Sequence, residues 1–120
     1  MLYTTYFAKL RSLPKTISPI AICGKAPEWF LGPQYKKLAP RYDFFSEWKR
    51  INDNHYYVQC FNELVLSQLD PIRVLDELYS LTSSEDIALV CYEKPEDFCH
   101  RHLVANWFRE YGIQIKEFGS

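Results

Sequence analysis

The C-terminal part of the chain consists of a short apolar run, an amphipathic segment and a second short apolar run. This pattern constrains the fold more than any other feature of the sequence. Residues 87–90 form a continuous apolar run of strand length, and residues 113–115 begin a second run that we expect to be an edge strand. Between the runs, apolar side chains recur at the helical spacing i, i+3, i+4 and i+7, at Val104, Trp107, Phe108 and Tyr111. A strand, a helix and a strand in this order favour a mostly parallel sheet.

The first half of the chain adds further strands to this pattern. Residues 2–8 mix Tyr, Thr and Phe and predict a first strand, and residues 20–23 predict a short buried strand that ends before Gly24. Residues 24–40 contain three prolines and two glycines, which predicts irregular structure. A long irregular segment inside a small domain is usually functional or contains a short helix of its own.

Helical spacing predicts three helices between this loop and the strand at residues 87–90. Asp70 followed by Pro71 is a helix-start signal, an N-cap and then proline at the first helical position. Pro95 is predicted to open the last helix in the same way, with Glu96 and Asp97 in its first turn. The apolar positions are predicted at Tyr42, Phe45, Trp48 and Ile51 in the first helix, at residues 57–65 in the second, and at Leu75, Leu78 and Tyr79 in the third.

Composition excludes several classes of protein. The 120 residues suffice for a single domain spanning residues 1–120, and a hydrophobic share of 48% argues against disorder. A net charge of -1 gives no global basic field, so nucleic acid is not indicated as a partner. No run of about 18 apolar residues predicts a membrane span. Four cysteines behind an N-terminus that lacks the signal-peptide pattern predict a reducing compartment, which we expect to be the cytoplasm.

Three of the four cysteines fall where chemistry is expected in a parallel α/β domain. Cys23 and Cys91 end predicted strands, and ligands collect at the carboxyl ends of such strands. Cys99 lies near the start of the last helix beside His100, where a thiol can have a lowered pKa and become nucleophilic or metal-binding. Unpaired cysteine is also a common small core residue, and this alternative applies above all to Cys23 and Cys91. Cys60 has no charged neighbour and is interpreted as structural.

The charged side chains around Cys99 allow more than one interpretation. Arg101 suits a phosphate or carboxylate ligand, or a structural ion pair with Glu93 or Glu96. A zinc or redox site built on Cys23, Cys91, Cys99 and His100 or His102 is a further alternative. Structural zinc sites usually show two close ligand pairs, and the spacing C-x7-C-H fits that pattern poorly.

Aromatic and basic residues alternate in the loop that precedes the first helix. Such a mixture can stack a base and hold a phosphate, or it can fold over the core through its aromatic side chains. Exposure of these aromatic side chains would favour another function, that of a non-catalytic module that binds or regulates another protein. The residues are Trp29, Phe30, Tyr35, Lys36, Lys37 and Arg41.

The segment from Leu89 to Arg101 resembles the signature of the domain-of-unknown-function-488 (DUF488) family. That signature is an apolar strand, Cys-x-Glu, five further residues, Cys-His-Arg and then a helix, and Leu38-Ala39-Pro40 and Trp48 resemble the YeaO-like branch. The resemblance implies a small Rossmann-like, three-layer α/β domain with helices flanking a short sheet. It places the motif on Cys91, Glu93, Cys99, His100 and Arg101 and implies no particular reaction or cofactor.

One position departs from the family pattern. Many members carry Asp-x-Arg after the second strand, where this chain has Cys23-Gly24-Lys25. The acidic group is therefore missing, and Lys25 retains the positive charge of the arginine without its guanidinium.

We expect a small anionic ligand, nucleotide-like or phosphate-bearing, at the carboxyl rim of the strands and the start of the last helix. Whether the site is catalytic stays open at this point. The candidate residues for chemistry are Cys99, His100 and Glu93, and those for ligand binding are Arg101, Lys25, Cys91, Cys23 and Tyr6.

Overall fold

A four-stranded parallel sheet forms the centre of the computed structural model, which describes residues 1–119. Its strands are β1 (Leu2–Tyr6), β2 (Ile17–Ala21), β3 (Asp86–Cys91) and β4 (Ile115–Glu117). They lie in the order β2-β3-β1-β4, and every pairing is parallel. This confirms the predicted α/β class with a parallel sheet, and β4 is an edge strand as expected.

Residues 1–119 contain four α-helices, which follow the predicted order. They are α1 (Tyr42–Ile51), α2 (Asn54–Leu64), α3 (Pro71–Ser80) and α4 (His100–Glu110). The predicted irregular segment contains only a 3-10 turn at Lys36–Leu38, and two more 3-10 segments lie at Phe7–Ser12 and Leu66–Gln68. None of the helices within residues 1–119 has the length and apolarity needed to cross a membrane.

The connections place the elements in layers. His100 and Arg101 of α4 contact Cys91 and Tyr6, which are paired across β3 and β1, so α4 covers that face of the sheet. α2 joins the same layer, because the Phe61 ring lies 5.5 Å from the His100 ring. Along the order β2-β3-β1-β4, the connection from β1 to β2 runs toward one edge of the sheet, whereas the connections from β2 to β3 and from β3 to β4 run toward the other edge. Because such crossovers are right-handed, Phe7–Ser12 lies on the face of the sheet opposite to α4. The arrangement is consistent with a Rossmann-like three-layer domain.

The predicted start of the last helix is wrong by five residues. Pro95 lies in a turn closed by the Asp97 N–H, which donates to the Lys94 carbonyl, and α4 begins only at His100. Proline's fixed φ suits the second position of a β-turn as well as the first turn of a helix, so the sequence signal was ambiguous. As a result Cys99 is the N-cap residue, with extended backbone, instead of a member of the helix.

Three smaller predictions also change. β2 begins at Ile17 and includes Pro19, because β2 is an edge strand where proline's missing N–H costs no ladder hydrogen bond. In α1 the buried residue is Phe44, whereas Tyr42 is 82% exposed. Tyr111 is exposed as well, because α4 ends before it.

The predicted cap of α3 is confirmed and allows a stability test. The Asp70 carboxylate accepts a hydrogen bond from the Ile72 N–H at 3.0 Å, directly before Pro71. We expect Asp70→Ala to lower the free energy of unfolding by about 1 kcal/mol, because an N–H at the helix start loses its acceptor. Chemical denaturation measures the change. Asp76→Ala, on an exposed face of the same helix, is the matched control and should change the free energy little.

Candidate functional site

A cavity of about 940 Å³ opens where β2 and β3 end and α4 begins. This is the edge of a parallel sheet at which ligands usually bind. The ends of both strands, the loop from Ala39 to Arg41, α1, α2 and the β3–α4 loop all contribute to its wall. The lining residues with charged, imidazole or thiol side chains are Cys23, Lys25, Lys36, Arg41, Lys49, Cys91, Glu93, Cys99 and His100.

Two thiols and an imidazole lie together on the floor of the cavity. Sulfur or nitrogen atoms of Cys91, Cys99 and His100 all lie within 4.8 Å of one another, and all three residues are buried. The Cys91 sulfur is 3.3 Å from Nε2 and 3.7 Å from Nδ1 of His100. Two thiolates and one imidazole at this spacing make a possible metal site. Cys60, Cys23 and His102 are not part of this group.

The imidazole of His100 is oriented by the backbone of the chain. Its Nε2 lies 2.7 Å from the Ile22 carbonyl oxygen, which can only accept a hydrogen bond. Nε2 therefore carries a hydrogen, and Nδ1 is the ring nitrogen left to interact with the cavity thiols. The hydrogen bond between Ile22 N–H and the Val90 carbonyl ties this part of the chain to β3, so the imidazole is held firmly.

Cys99 is held as a thiolate. Hydrogen bonding from the Cys91 thiol is the largest cause, followed by His100 and the Arg101 backbone N–H, and together they outweigh burial and lower the Cys99 pKa to about 3. Burial raises the pKa of both Cys91 and Cys23, so these two thiols stay protonated. Of the three thiols at the cavity, only that of Cys99 has a lowered pKa.

Glu93 lines the cavity beside this thiolate. Desolvation and the negative charge of Cys99 raise the pKa of its carboxyl above the usual value. A carboxyl group with a raised pKa beside a thiolate can hold a proton and give it to a bound ligand.

Aromatic rings from three parts of the chain form the wall. The Phe98 ring lies 5.7 Å from the Trp48 ring and 5.0 Å from the Tyr57 ring, and Phe45 lies 5.7 Å from Trp48. Tyr57 is almost completely buried, and burial raises the pKa of its hydroxyl. These rings give the cavity flat, apolar sides of the kind on which planar ligands stack.

Four cationic side chains lie at the cavity rim. Arg41 pairs with Asp43 at 2.8 Å, and the Lys49 ammonium lies 5.1 Å from the centre of the Phe45 ring. Lys25 and Lys36 have no ion-pair partner among residues 1–119. The rim therefore carries an excess of positive charge near the thiolate floor.

Arg101, which the sequence placed in contact with a ligand, lies away from the cavity lining. Its side chain is 0% exposed, and the guanidinium donates to both Glu117 carboxylate oxygens, at 3.1 and 3.0 Å, and to the Glu93 carbonyl at 2.6 Å. The predicted ion pair with the Glu93 or Glu96 side chain is wrong, because Glu117 of β4 supplies the carboxylate. Tyr6 is likewise outside the lining, with its ring 5.8 Å from the guanidinium.

A family model described as the active DUF488-N3 subclade matches residues 9–112. The chain belongs to this DUF488 subclade. Comparison with curated proteins and comparison with solved structures gave no match.

In this DUF488 domain the aromatic and basic loop divides between the cavity and the core. Lys36 and Arg41 reach the rim, whereas Lys37 pairs with Glu77 at 3.1 Å, and the buried Tyr35 donates to the same carboxylate. Trp29 stays 62% exposed and packs its ring edge against Phe7. The cavity wall of the DUF488 domain is therefore built mainly by α1, α2 and Phe98, which the motif alone did not indicate. The helical spacing of Phe45 and Trp48 is the available signal, but it fits core packing equally well.

Proposed function

We propose that this DUF488 domain binds a small anion with a flat ring, a nucleotide-like molecule, and acts on it with the Cys99 thiolate. One observation carries the proposal: a single cavity combines aromatic walls and a cationic rim with a thiolate floor. Its volume of about 940 Å³ is near the upper end for small-molecule sites, roughly 300–1,000 Å³.

The anionic group of the ligand is placed at the rim instead of the start of α4. The N-terminus of a helix favours negative charge, but Cys99 already provides a thiolate there. A second anion at that point would be repelled by the first. Lys25 and Lys36 are free of carboxylate partners within residues 1–119, so they are the groups we assign to a phosphate.

The ring of the ligand is placed against the aromatic wall. Trp48, Tyr57 and Phe98 lie against one another with ring centres 5.0–5.7 Å apart, and these contacts hold them in place before any ligand binds. Stacking on such rings tolerates any base, since every base presents a flat π face. The walls thus support recognition of a ring system and leave the identity of the base open.

The chemistry is assigned to three groups. Cys99 is the nucleophile, and Glu93, with its raised pKa, exchanges a proton with the ligand. The imidazole of His100 supports the Cys99 thiolate through a hydrogen bond. Arg101 is a positioning residue, because it holds the Glu93 backbone carbonyl from inside the core. The word "active" in the description of the matched subclade supports a catalytic role. Four free cysteines suit a reducing compartment, so we place the protein in the cytoplasm.

Adjacent lysines provide a matched test of ligand binding. Lys36 lines the cavity and Lys37 pairs with Glu77 outside it. Isothermal titration of the four ribonucleoside monophosphates should show at least one that binds, with affinity reduced about tenfold or more by Lys36→Glu and much less by Lys37→Glu. The reason is that, of these two adjacent lysines, only Lys36 is placed to attract the phosphate. Binding should also weaken as salt is added.

Equal losses in both lysine variants, or no binding of any of the four nucleotides, would contradict the proposal. A metal at Cys91, Cys99 and His100 would occupy the thiolate, so metal content must be measured on the same preparation. One equivalent of tightly held metal would show that the site is a metal centre and that Cys99 is a metal ligand instead of the nucleophile.

A further inference from the structure

Two cysteines on the cavity floor are adjacent in space although seven residues separate them along the chain. Cys91 ends β3 and is 0% exposed, while Cys99 caps α4 and is 4% exposed. We infer that Cys99 and Cys91 form a peroxide-reactive dithiol pair, in which Cys99 is oxidised first and Cys91 then closes a disulfide. The assignment rests on their placement and needs no ligand.

The distances suit this reaction. The two sulfurs are within 4.8 Å of each other, so a movement of less than about 3 Å brings them to the disulfide bond length of about 2.05 Å. The intervening residues 92–98 form turns and irregular structure, which can adjust more easily than a strand or helix. Cys23 also lines the cavity but lies outside the close group, so Cys91 is the expected partner.

The oxidation balances with hydrogen peroxide as the oxidant. The Cys99 thiolate attacks one peroxide oxygen, the O–O bond breaks, and the departing hydroxide takes a proton to form water, leaving a sulfenic acid. The Cys91 sulfur then attacks the Cys99 sulfur, and the proton of the Cys91 thiol goes to the departing hydroxide. The S–O bond breaks and a second water leaves. The two thiols lose two electrons and the peroxide gains them.

The disulfide has a consequence for the cavity. It joins the end of β3 to the start of α4 and consumes the thiolate that faces the ligand. If the proposed nucleophilic function holds, oxidation switches that activity off and a dithiol reductant restores it. Only this consequence rests on the proposed function. The disulfide itself does not.

Peptide mapping after peroxide treatment tests the pair directly. Cleavage after glutamate places the four cysteines in four different peptides, so any disulfide identifies both of its members. The reduced wild-type protein, treated with hydrogen peroxide and digested without reductant, should give a peptide pair that links Cys91 to Cys99 and separates on reduction. Cys60→Ser is the matched control and should give the same linked pair, because Cys60 lies on α2 away from the cluster.

Two variants separate the roles of the cysteines. Cys91→Ser keeps a hydrogen-bond donor beside Cys99 and should leave Cys99 as a sulfenic acid that dimedone traps in far higher yield than in the wild type. Cys99→Ser should prevent oxidation of Cys91. A link between Cys23 and Cys99, or wild-type Cys99 oxidised to the sulfinic acid without any link, would overturn the inference. Because the wild-type map alone decides the matter, a variant that fails to fold does not affect the test. Nucleotide binding by the reduced protein reports separately on the proposed function.

Discussion

Iodoacetamide is expected to alkylate Cys99 almost as fast at pH 5 as at pH 8. The Cys99 pKa of about 3 keeps its sulfur deprotonated over this whole range, so the thiolate concentration hardly changes. A thiol with an ordinary pKa of about 8.5 would react about a thousandfold more slowly at pH 5 than at pH 8. Mass spectrometry of the four glutamate-bounded peptides measures the rate at each cysteine.

The other cavity cysteines are internal controls for this prediction. Burial raises the pKa of Cys91 and Cys23, so their alkylation should be slow and should increase with pH. Unfolding in urea removes the contacts with Cys91 and His100, and Cys99 should then show an ordinary pH dependence. A steep pH dependence of Cys99 in the folded protein would show that the sulfur is not held as a thiolate.

Glu117→Ala is expected to lower the free energy of unfolding by about 3–5 kcal/mol. Arg101 is completely buried, and Glu117 accepts hydrogen bonds from both its Nε and one terminal nitrogen. Removing the carboxylate leaves a positive charge in the core without its partner. The loss also frees the Thr4 hydroxyl, which donates to Glu117 at 2.7 Å. Urea denaturation followed by circular dichroism measures the change.

An exposed ion pair in the same chain provides the comparison. Glu47 pairs with Arg50 on the surface of α1, and Glu47→Ala should change the free energy of unfolding by less than about 1 kcal/mol. If Glu117→Ala changes the free energy of unfolding as little as Glu47→Ala does, the buried Arg101 guanidinium does not need the Glu117 carboxylate as its partner.

Periodicity in the sequence predicts most of the secondary structure, because each element carries its own local signal. The apolar run at residues 87–90 and the Asp70-Pro71 cap are examples, and the structure confirms both. The start of α4 could not be predicted in this way, since Pro95 satisfies a turn and a helix equally well. Its true start depends on where β3 and α4 meet, which is a tertiary property.

The candidate site depends on contacts that the local pattern does not give. Cys99 and His100 lie together with Cys91 because Cys99 precedes α4 with extended backbone, whereas two neighbours inside a helix would point apart. The partner of Arg101 comes from β4, and its position depends on the pairing of β4 with β1. Trp48 likewise joins the wall only because α1 packs beside α2. Such long-range contacts leave no spacing pattern in a single sequence.

Protection of Cys99 by nucleotides tests the central claim most directly, because it reports on the cavity and its thiolate together. Each of the four ribonucleoside monophosphates is added to the reduced protein at pH 6, and alkylation of Cys99 by iodoacetamide is followed with increasing nucleotide. The account predicts that at least one nucleotide slows the reaction in a saturable way, and that Lys36→Glu shifts the protection to higher concentration while Lys37→Glu does not. An alkylation rate that stays constant with all four nucleotides would contradict it.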